Sequence, residues 1–134
     1  MATTQQYAVT PNFGTPAVLT TADTSLTAPS TVSTILTAGS SGSRIDSIDI
    51  VGVATTTACI VNIFAYDGST YHLLTQVPIL ANTVSTTAPG VEYHLGSYSN
   101  PTLFPIILKT GWSLRATITV TQTGVKVIAR GGDF

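Results

Sequence analysis

The stretch TACIVNIFAYDGSTYHLLTQVP, residues 57–78, decides the fold class. Its first half, Thr57 to Tyr66, alternates between two sets of side chains, as a strand with two distinct faces does. Asp67-Gly68 follows, and such a pair between two runs of this kind is a strong signal for a tight β-hairpin. Tyr71 to Val77 then returns antiparallel, and Pro78, which has no backbone N–H to donate, ends that strand or places it at a sheet edge.

The rest of the chain repeats this pattern of short apolar runs separated by turn residues. No segment of ten or more residues carries the apolar stripe of a helix. Further strands are predicted over 17–21, 31–37, 44–53, 91–95, 104–108, 112–121 and 125–129. Short strands of this kind predict an all-β fold, an antiparallel β-sandwich or jelly-roll-like barrel, in which two sheets about 10 Å apart cover each other's apolar faces.

The chain has two parts of different character. Residues 1–16 are polar and contain two prolines, which favour extended backbone at their own position and at the preceding one. We therefore expect an extended N-terminal arm over 1–16 and a single β-sandwich domain over 17–134. The arm either frays as a free terminus or lies on a neighbouring subunit, with Tyr7 and Phe13 as its anchors.

Charge is scarce in this sequence. Only 8% of the residues are charged, against about 25% in an ordinary soluble domain, whereas 43% are hydrophobic. A net charge of −1 leaves no basic footprint for neutralising phosphates, so the composition argues against nucleic-acid binding. Thr and Ser replace the charges, and an uncharged surface protects only weakly against self-association. This composition is typical of a subunit whose faces are covered by other proteins.

The sequence shows no membrane or secretion signal. Its apolar runs are much shorter than the roughly 20 residues that cross a bilayer, and its first ten residues lack the basic and apolar segments of a signal peptide. The single cysteine, Cys59, cannot form an internal disulfide, and its apolar neighbours predict a small buried side chain. We therefore expect assembly in a cytoplasm and no membrane partner.

Few titratable residues are candidates for chemistry. Glu92 and His94 lie two apart on one predicted strand, so both project from the same face and could form a proton-transfer pair or two metal ligands. Two ligands do not make a metal site, and only His72 remains as a third nitrogen. A solvated polar face on a short edge strand is the favoured interpretation. We predict no enzyme, no catalytic or metal-binding residues, and no cofactor.

The aromatic residues suggest a second, less favoured function. Trp112 and several tyrosines could form a stacking platform for a sugar, as in a carbohydrate-binding sandwich. However, Trp112 shares its predicted face with Leu114 and Ile118, which places it in the core. The tyrosines in question are predicted on different strands; they are Tyr66, Tyr71, Tyr93 and Tyr98. A small-molecule ligand is therefore not expected.

The chain closes with RGGDF, residues 130–134. Two consecutive glycines favour a short flexible tail. Phe134 at its end would be available to enter a pocket on a partner, and it joins Tyr7 and Phe13 as a predicted partner-binding residue.

Several stretches of the sequence resemble small virion proteins of tailed bacteriophages. The shared features are a Thr-rich lead-in before a strand that starts with Arg-Ile, a strand that ends in Tyr-Asp-Gly, and a Gly-x-x-Leu-Arg-Ala strand before the last hairpin. These stretches lie within about 15–134 and read TPAVLTTADTSLTAPSTVSTILTAG, SRIDSIDIVG, VNIFAYDGSTYHLLTQVPI, PIILKTGWSLRATI and VKVIARGGDF.

This resemblance implies a non-enzymatic structural protein of the virion, with no catalytic residues to carry over. It favours a capsid decoration or cement protein that binds the assembled head and bridges neighbouring capsid subunits. The implied partners are the major capsid protein and other copies of the chain, as a homotrimer, because decoration proteins often sit at local three-fold axes. A neck, tail or fibre-attachment component is the alternative within the virion.

Overall fold

The computed structural model describes residues 10–96 and 98–134, and this part of the chain is all-β. Its strands pair into two antiparallel sheets that pack face to face, so the predicted β-sandwich is confirmed. The strands are β1 (Thr10–Asn12), β2 (Ala17–Leu19), β3 (Ser33–Thr37), β4 (Ser43–Gly52), β5 (Cys59–Tyr66), β6 (Tyr71–Ile79), β7 (Glu92–Gly96), β8 (Ile106–Leu108), β9 (Ser113–Ile118) and β10 (Val125–Asp133).

The two sheets differ in size. The six-stranded sheet has the order β1-β10-β4-β7, with β2 also paired to β10 and β8 also paired to β4. The four-stranded sheet has the order β3-β9-β5-β6. Strand β4 therefore lies in the middle of the larger sheet, with β10 on one side and β7 and β8 on the other.

The hairpin predicted at Asp67-Gly68 joins β5 to β6 and sets their register, with Tyr66 opposite Tyr71. Gly68 has a φ of 101°, a left-handed conformation that glycine adopts without steric cost. Strand β6 runs on to Ile79 and lies at the edge of its sheet, so Pro78 does not end the strand. The edge placement, one of the two alternatives for this proline, is the correct one.

The core lies between the sheets and consists of the side chains that alternate inwards along each strand. The alternation predicted for the last two long strands is confirmed, and Cys59 is buried as expected. The fully buried apolar residues of the central strands include Ile45, Ile48, Ile50, Val61, Ile63, Leu114, Ala116, Ile118, Val125, Val127 and Ala129.

Trp112 does not lie in the core, and that prediction is wrong. It precedes the first paired residue of β9, Ser113, and is half-buried against the margin of the core. Its indole stacks on the imidazole of His72, with ring centroids 5.8 Å apart and an interplanar angle of 14°. The alternation gave the correct face but not the end of the strand, because β9 begins only at Ser113.

Both ends of the described chain are paired with its own strands. Residues 10–12 form β1 and pair with β10, and Thr15 N–H donates to the Ile35 carbonyl at 2.7 Å. The second half of the predicted arm thus runs along the sandwich of the same molecule, whereas 1–9, with Tyr7, lie outside the described residues.

The expected flexible tail is wrong for residues 130–133, which continue β10 against β4 and β1. A β-bulge between Arg130 and Gly131 shifts the register, so that Gly131 lies opposite Ile45. A side chain at Gly131 would collide with the Arg44 carbonyl oxygen, so glycine permits the pairing here rather than loosening the backbone. Phe134 is half-buried, and its N–H donates to the Gly42 carbonyl.

Candidate protein-binding surface

The solvent-facing side of the six-stranded sheet carries an ordered pattern of charge. Side chains of paired residues project from the same face of a sheet, so the register defines three rows across β10, β4 and β7. We call these nine residues the outer face; its rows are Lys126–Val51–Glu92, Ile128–Asp49–His94 and Arg130–Ser47–Gly96.

An ion-pair cluster occupies the middle of the outer face. Arg130 Nη1 lies 2.6 Å from Asp49 Oδ2, and His94 Nδ1 donates to Asp49 Oδ1 at 2.8 Å. His94 Nε2 lies 3.7 Å from a Glu92 carboxylate oxygen. The Asp49 side chain is only 7% exposed, and a carboxylate so withdrawn from water requires such partners. The two flanking strands therefore hold one buried charge from opposite sides.

The Asp49 carboxylate raises the pKa of His94, first through the hydrogen bond and then through its charge, and Glu92 adds to the effect. The positively charged imidazolium is therefore favoured on this face. Because Arg130 occupies the second oxygen of Asp49, the cluster is arranged as a neutralised ion pair rather than as a histidine with a free carboxylate behind it.

The structure places Glu92 and His94 on β7, an edge strand, with both side chains about two-thirds exposed. This is the solvated polar face that the sequence favoured. His72, the third nitrogen considered, lies on the other sheet and binds Asp67 at 3.0 Å. In residues 10–96 and 98–134, no group of three or more His, Cys, Asp or Glu side chains is arranged to hold a metal ion.

A small cavity lies elsewhere, between β2, β3 and β9. Its volume is about 30 Å³, roughly the space of one water molecule. None of its lining residues is titratable; they are Leu19, Thr20, Thr21, Thr31, Ser33, Ala116, Thr117 and Ile118. Such a cavity suits a bound water rather than a substrate.

The predicted anchors Phe13 and Phe134 are not brought together. Strand β1 pairs antiparallel with β10, so Phe13 follows the end next to Gly131 while Phe134 lies beyond Asp133. Phe13 is 51% exposed, and the Arg130 guanidinium lies 5.6 Å from the centre of its ring. Phe13 therefore borders the outer face, whereas Phe134 lies at the other end of the β1–β10 pairing.

The tyrosines are less scattered than the sequence suggested. Tyr66 and Tyr71 face each other across the β5–β6 hairpin, with ring centroids 4.4 Å apart. The Arg115 guanidinium lies 4.0 Å from the centre of the Tyr66 ring and donates to the Tyr71 hydroxyl at 3.0 Å. These rings are packed against each other and against a cation, so the pair is arranged as a surface cluster rather than as an open stacking platform.

Most of the charged side chains are engaged within the molecule. Asp23 accepts three backbone N–H groups of its own loop, and these hydrogen bonds lower its pKa. Asp133 accepts from the side chains of Ser43 and Asn12, which likewise lower its pKa. Among the charged side chains of the described residues, only Lys109 and Lys126 make neither an ion pair nor a side-chain hydrogen bond.

Comparison of the chain with family models, with curated proteins and with solved structures gives no match in any of the three. The described residues contain no helix of the length and hydropathy needed to cross a membrane.

Proposed function

We propose that this chain is a non-enzymatic structural protein of a tailed-bacteriophage virion that decorates the capsid. It binds the assembled head and stabilises it by bridging neighbouring capsid subunits. The proposal is supported by the resemblance of several stretches of the sequence to small virion proteins and by the sandwich fold, which presents the open face of a six-stranded sheet.

The observation that carries the proposal is the pairing of charge within the molecule. Covering a charged side chain with another protein is costly when the charge has no partner, and the centres of protein interfaces are depleted of charged residues. Here the few charges present have ion-pair or hydrogen-bond partners within the molecule, with Lys109 and Lys126 as the exceptions among the described residues. A surface of this kind can be covered by neighbouring proteins at a lower electrostatic cost than one with unpartnered charges.

The proposed mechanism is thermodynamic. A protein that binds the assembled shell in preference to free subunits stabilises the shell by mass action. Phe13, an exposed aromatic residue, is the anchor with the clearest structural basis, because large aromatic side chains often dominate binding at interfaces. Tyr7 and Phe134 are the other proposed anchors. The partners are the major capsid protein and further copies of the chain.

The proposal is tested with particles that lack this protein, to which the purified chain is added back. We expect saturable binding on co-sedimentation and a higher temperature of head disruption in the bound particles. Phe13→Ala should weaken binding by at least about tenfold, the scale of a strong interface residue. Tyr98→Ala is the matched control, since it removes an exposed aromatic ring that is not a proposed anchor.

Absence of binding to the particle would overturn the decoration role. If Phe13→Ala, Tyr7→Ala and Phe134→Ala all bind the particle as the wild type does, the decoration role stands, but these residues are not its anchors. The number of copies per particle separates decoration from a neck, tail or fibre-attachment position, since those structures are rings or single complexes with few subunits.

A further inference from the structure

We propose that two copies of this chain pair through the outer face of the six-stranded sheet, so that Lys126 of each copy lies against Glu92 of the other. The inference goes beyond the proposed function and does not depend on it, because it concerns the purified chain alone. It replaces the homotrimer implied by the sequence resemblance with a two-fold pair. It is carried by the strand register, by the charge pattern and by the size of the face.

Lys126 and Glu92 lie in the same row but on opposite sides of β4, with Val51 between them. Neighbouring strands are about 4.8 Å apart, so two strand spacings, about 10 Å, separate the backbones of the two charged residues. Lys126 has no ion-pair or hydrogen-bond partner for its side chain among the described residues, and Glu92 reaches only His94 at 3.7 Å. The row thus presents a positive end and a negative end.

Consider two copies whose outer faces meet, related by a two-fold axis that lies between them and runs parallel to β4. This axis reverses the order of the three residues of the row in the second copy. It places β10 of one copy over β7 of the other and keeps each row at the same level along the strands. Lys126 then meets Glu92 at two symmetry-related points, as a self-complementary two-fold contact requires. An axis perpendicular to the strands would instead bring Lys126 towards Arg130, a contact between like charges.

The same axis also places side chains of compatible size opposite each other in the two copies. The Arg130 position comes to lie over Gly96, which has no side chain, so there is room for the Arg130 side chain that reaches across to Asp49. Ile128 comes to lie over His94. Asp49 lies next to the axis, but its charge is already neutralised by Arg130 and His94, so the approach of two copies does not leave a buried carboxylate without a partner.

The side of the six-stranded sheet that has the outer face at its centre is large enough for a stable contact. Strand β4 has 10 residues, which span about 34 Å, and four strand widths give about 19 Å, so the flat area is about 650 Å². A standard protein interface buries about 800 Å² on each partner, and side-chain relief increases the accessible area above the flat value. Exposed apolar side chains border the rows, with Val18 beside Lys126 and Phe13 beside Arg130.

The test is the mass of the purified full-length chain in solution, measured by sedimentation equilibrium over a range of concentrations. We expect a dimer for the wild type. Lys126→Glu and Glu92→Lys should each raise the dissociation constant by at least about tenfold, because each places like charges opposite each other twice. The double variant Lys126→Glu/Glu92→Lys should restore the dimer. Lys109→Glu makes the same charge change elsewhere and should leave the dimer intact.

Gly96→Leu provides a second variant that tests the contact without charge. A Cβ at this position would meet its nearest atoms at 3.6 and 3.8 Å, which is ordinary contact, so the strand pairing should persist. We expect a monomer with an unchanged circular dichroism spectrum. A monomeric or trimeric wild type, a double variant that stays monomeric, or a dimeric Gly96→Leu would each overturn the inference. A failure to bind particles would leave it standing.

Discussion

Arg130 and Asp49 lie on neighbouring strands but not opposite each other. The register sets Ile128 opposite Asp49 and Ser47 opposite Arg130, and the guanidinium reaches diagonally to the carboxylate at 2.6 Å. Diagonal neighbours in an antiparallel pair are within reach of long side chains. Together with His94 on the other flank, this contact joins strands β10, β4 and β7 of the larger sheet through one buried charge.

Replacing that charge should destabilise the fold. Asp49→Ala leaves Arg130 and His94 without their acceptor, and hydrogen bonds to charged groups contribute roughly 1.5–3 kcal/mol. We expect a loss of about 2 kcal/mol in the free energy of unfolding, measured by urea denaturation at neutral pH. Asp46→Ala is the control, because its ion pair with Arg44 at 2.7 Å is about half exposed and should contribute less than about 0.5 kcal/mol. Equal losses in the two variants would contradict a special role for Asp49.

The pKa of His94 makes stability depend on pH in a defined direction. Asp49 raises this pKa above the ordinary value of 6.5, so protonation favours the folded state. The resulting stabilisation is complete below pH 6.5 and is lost as the pH rises through the folded-state pKa. We expect the free energy of unfolding to fall over this window in the wild type and less so in His94→Gln.

Nuclear magnetic resonance gives the direct measurement for His94. Its ring signals should titrate with a midpoint above 6.5 in the wild type, and the midpoint should move down in Asp49→Asn, which removes the negative charge. A wild-type midpoint at or below 6.5 would be inconsistent with the hydrogen bond between His94 and Asp49.

Gly131 should be intolerant of any side chain. A Cβ there would overlap the backbone carbonyl of Arg44, so β10 and β4 would have to separate at the bulge. We expect Gly131→Ala to lower the free energy of unfolding by about 3 kcal/mol, the upper range for overpacking. Gly96→Ala, whose Cβ meets nothing closer than 3.6 Å, should change it by less than about 0.5 kcal/mol. Similar urea midpoints for the two variants would count against the steric argument.

Asp133, at the end of β10, connects this strand to the ends of β4 and β1. It accepts from Ser43 on β4 and from Asn12 on β1, and Asn12 also donates to the Thr37 carbonyl at the end of β3. These hydrogen bonds, Ser43 first, hold the pKa of Asp133 below 3.8, so the stabilisation is present above that pH and is lost as the pH falls through the folded-state pKa.

Asp133→Asn should therefore be less stable than the wild type by about 1 kcal/mol at pH 7, the typical contribution of one net hydrogen bond. The difference should shrink when both proteins are unfolded at about pH 3, because this pH lies below 3.8 and the carboxylate is then largely protonated in the unfolded wild type. A difference that stays constant between the two pH values would contradict the ionised hydrogen-bond network.

The sequence was sufficient for the features that depend on neighbouring residues. Asp67-Gly68 and the alternation on either side of it predict the β5–β6 hairpin, and inward alternation along β9 and β10 predicts much of the core. The Tyr66–Tyr71 pair could also have been found, because a hairpin closed at Asp67-Gly68 places these two residues opposite each other.

The features that were missed depend on which distant strands pair. The alternation correctly placed the Asp49 side chain on the opposite face of the strand from Ile48 and Ile50. It could not show that Arg130 and His94 lie beside Asp49 and bury it. The GlyGly pair at 131–132 favours a flexible tail by local propensity, whereas pairing with β4 and β1 overrides that propensity. Strand order is set by contacts far apart in sequence, which local patterns do not encode.

The number of copies of this chain per virion, measured against the major capsid protein by quantitative mass spectrometry of purified particles, tests the central claim most directly. A capsid decoration protein that bridges neighbouring capsid subunits is predicted at hundreds of copies per particle, in a fixed ratio to the capsid protein. A dozen copies or fewer would place the chain at a neck or tail. If the chain is produced during infection but is absent from the purified particles, a structural role in the virion is contradicted.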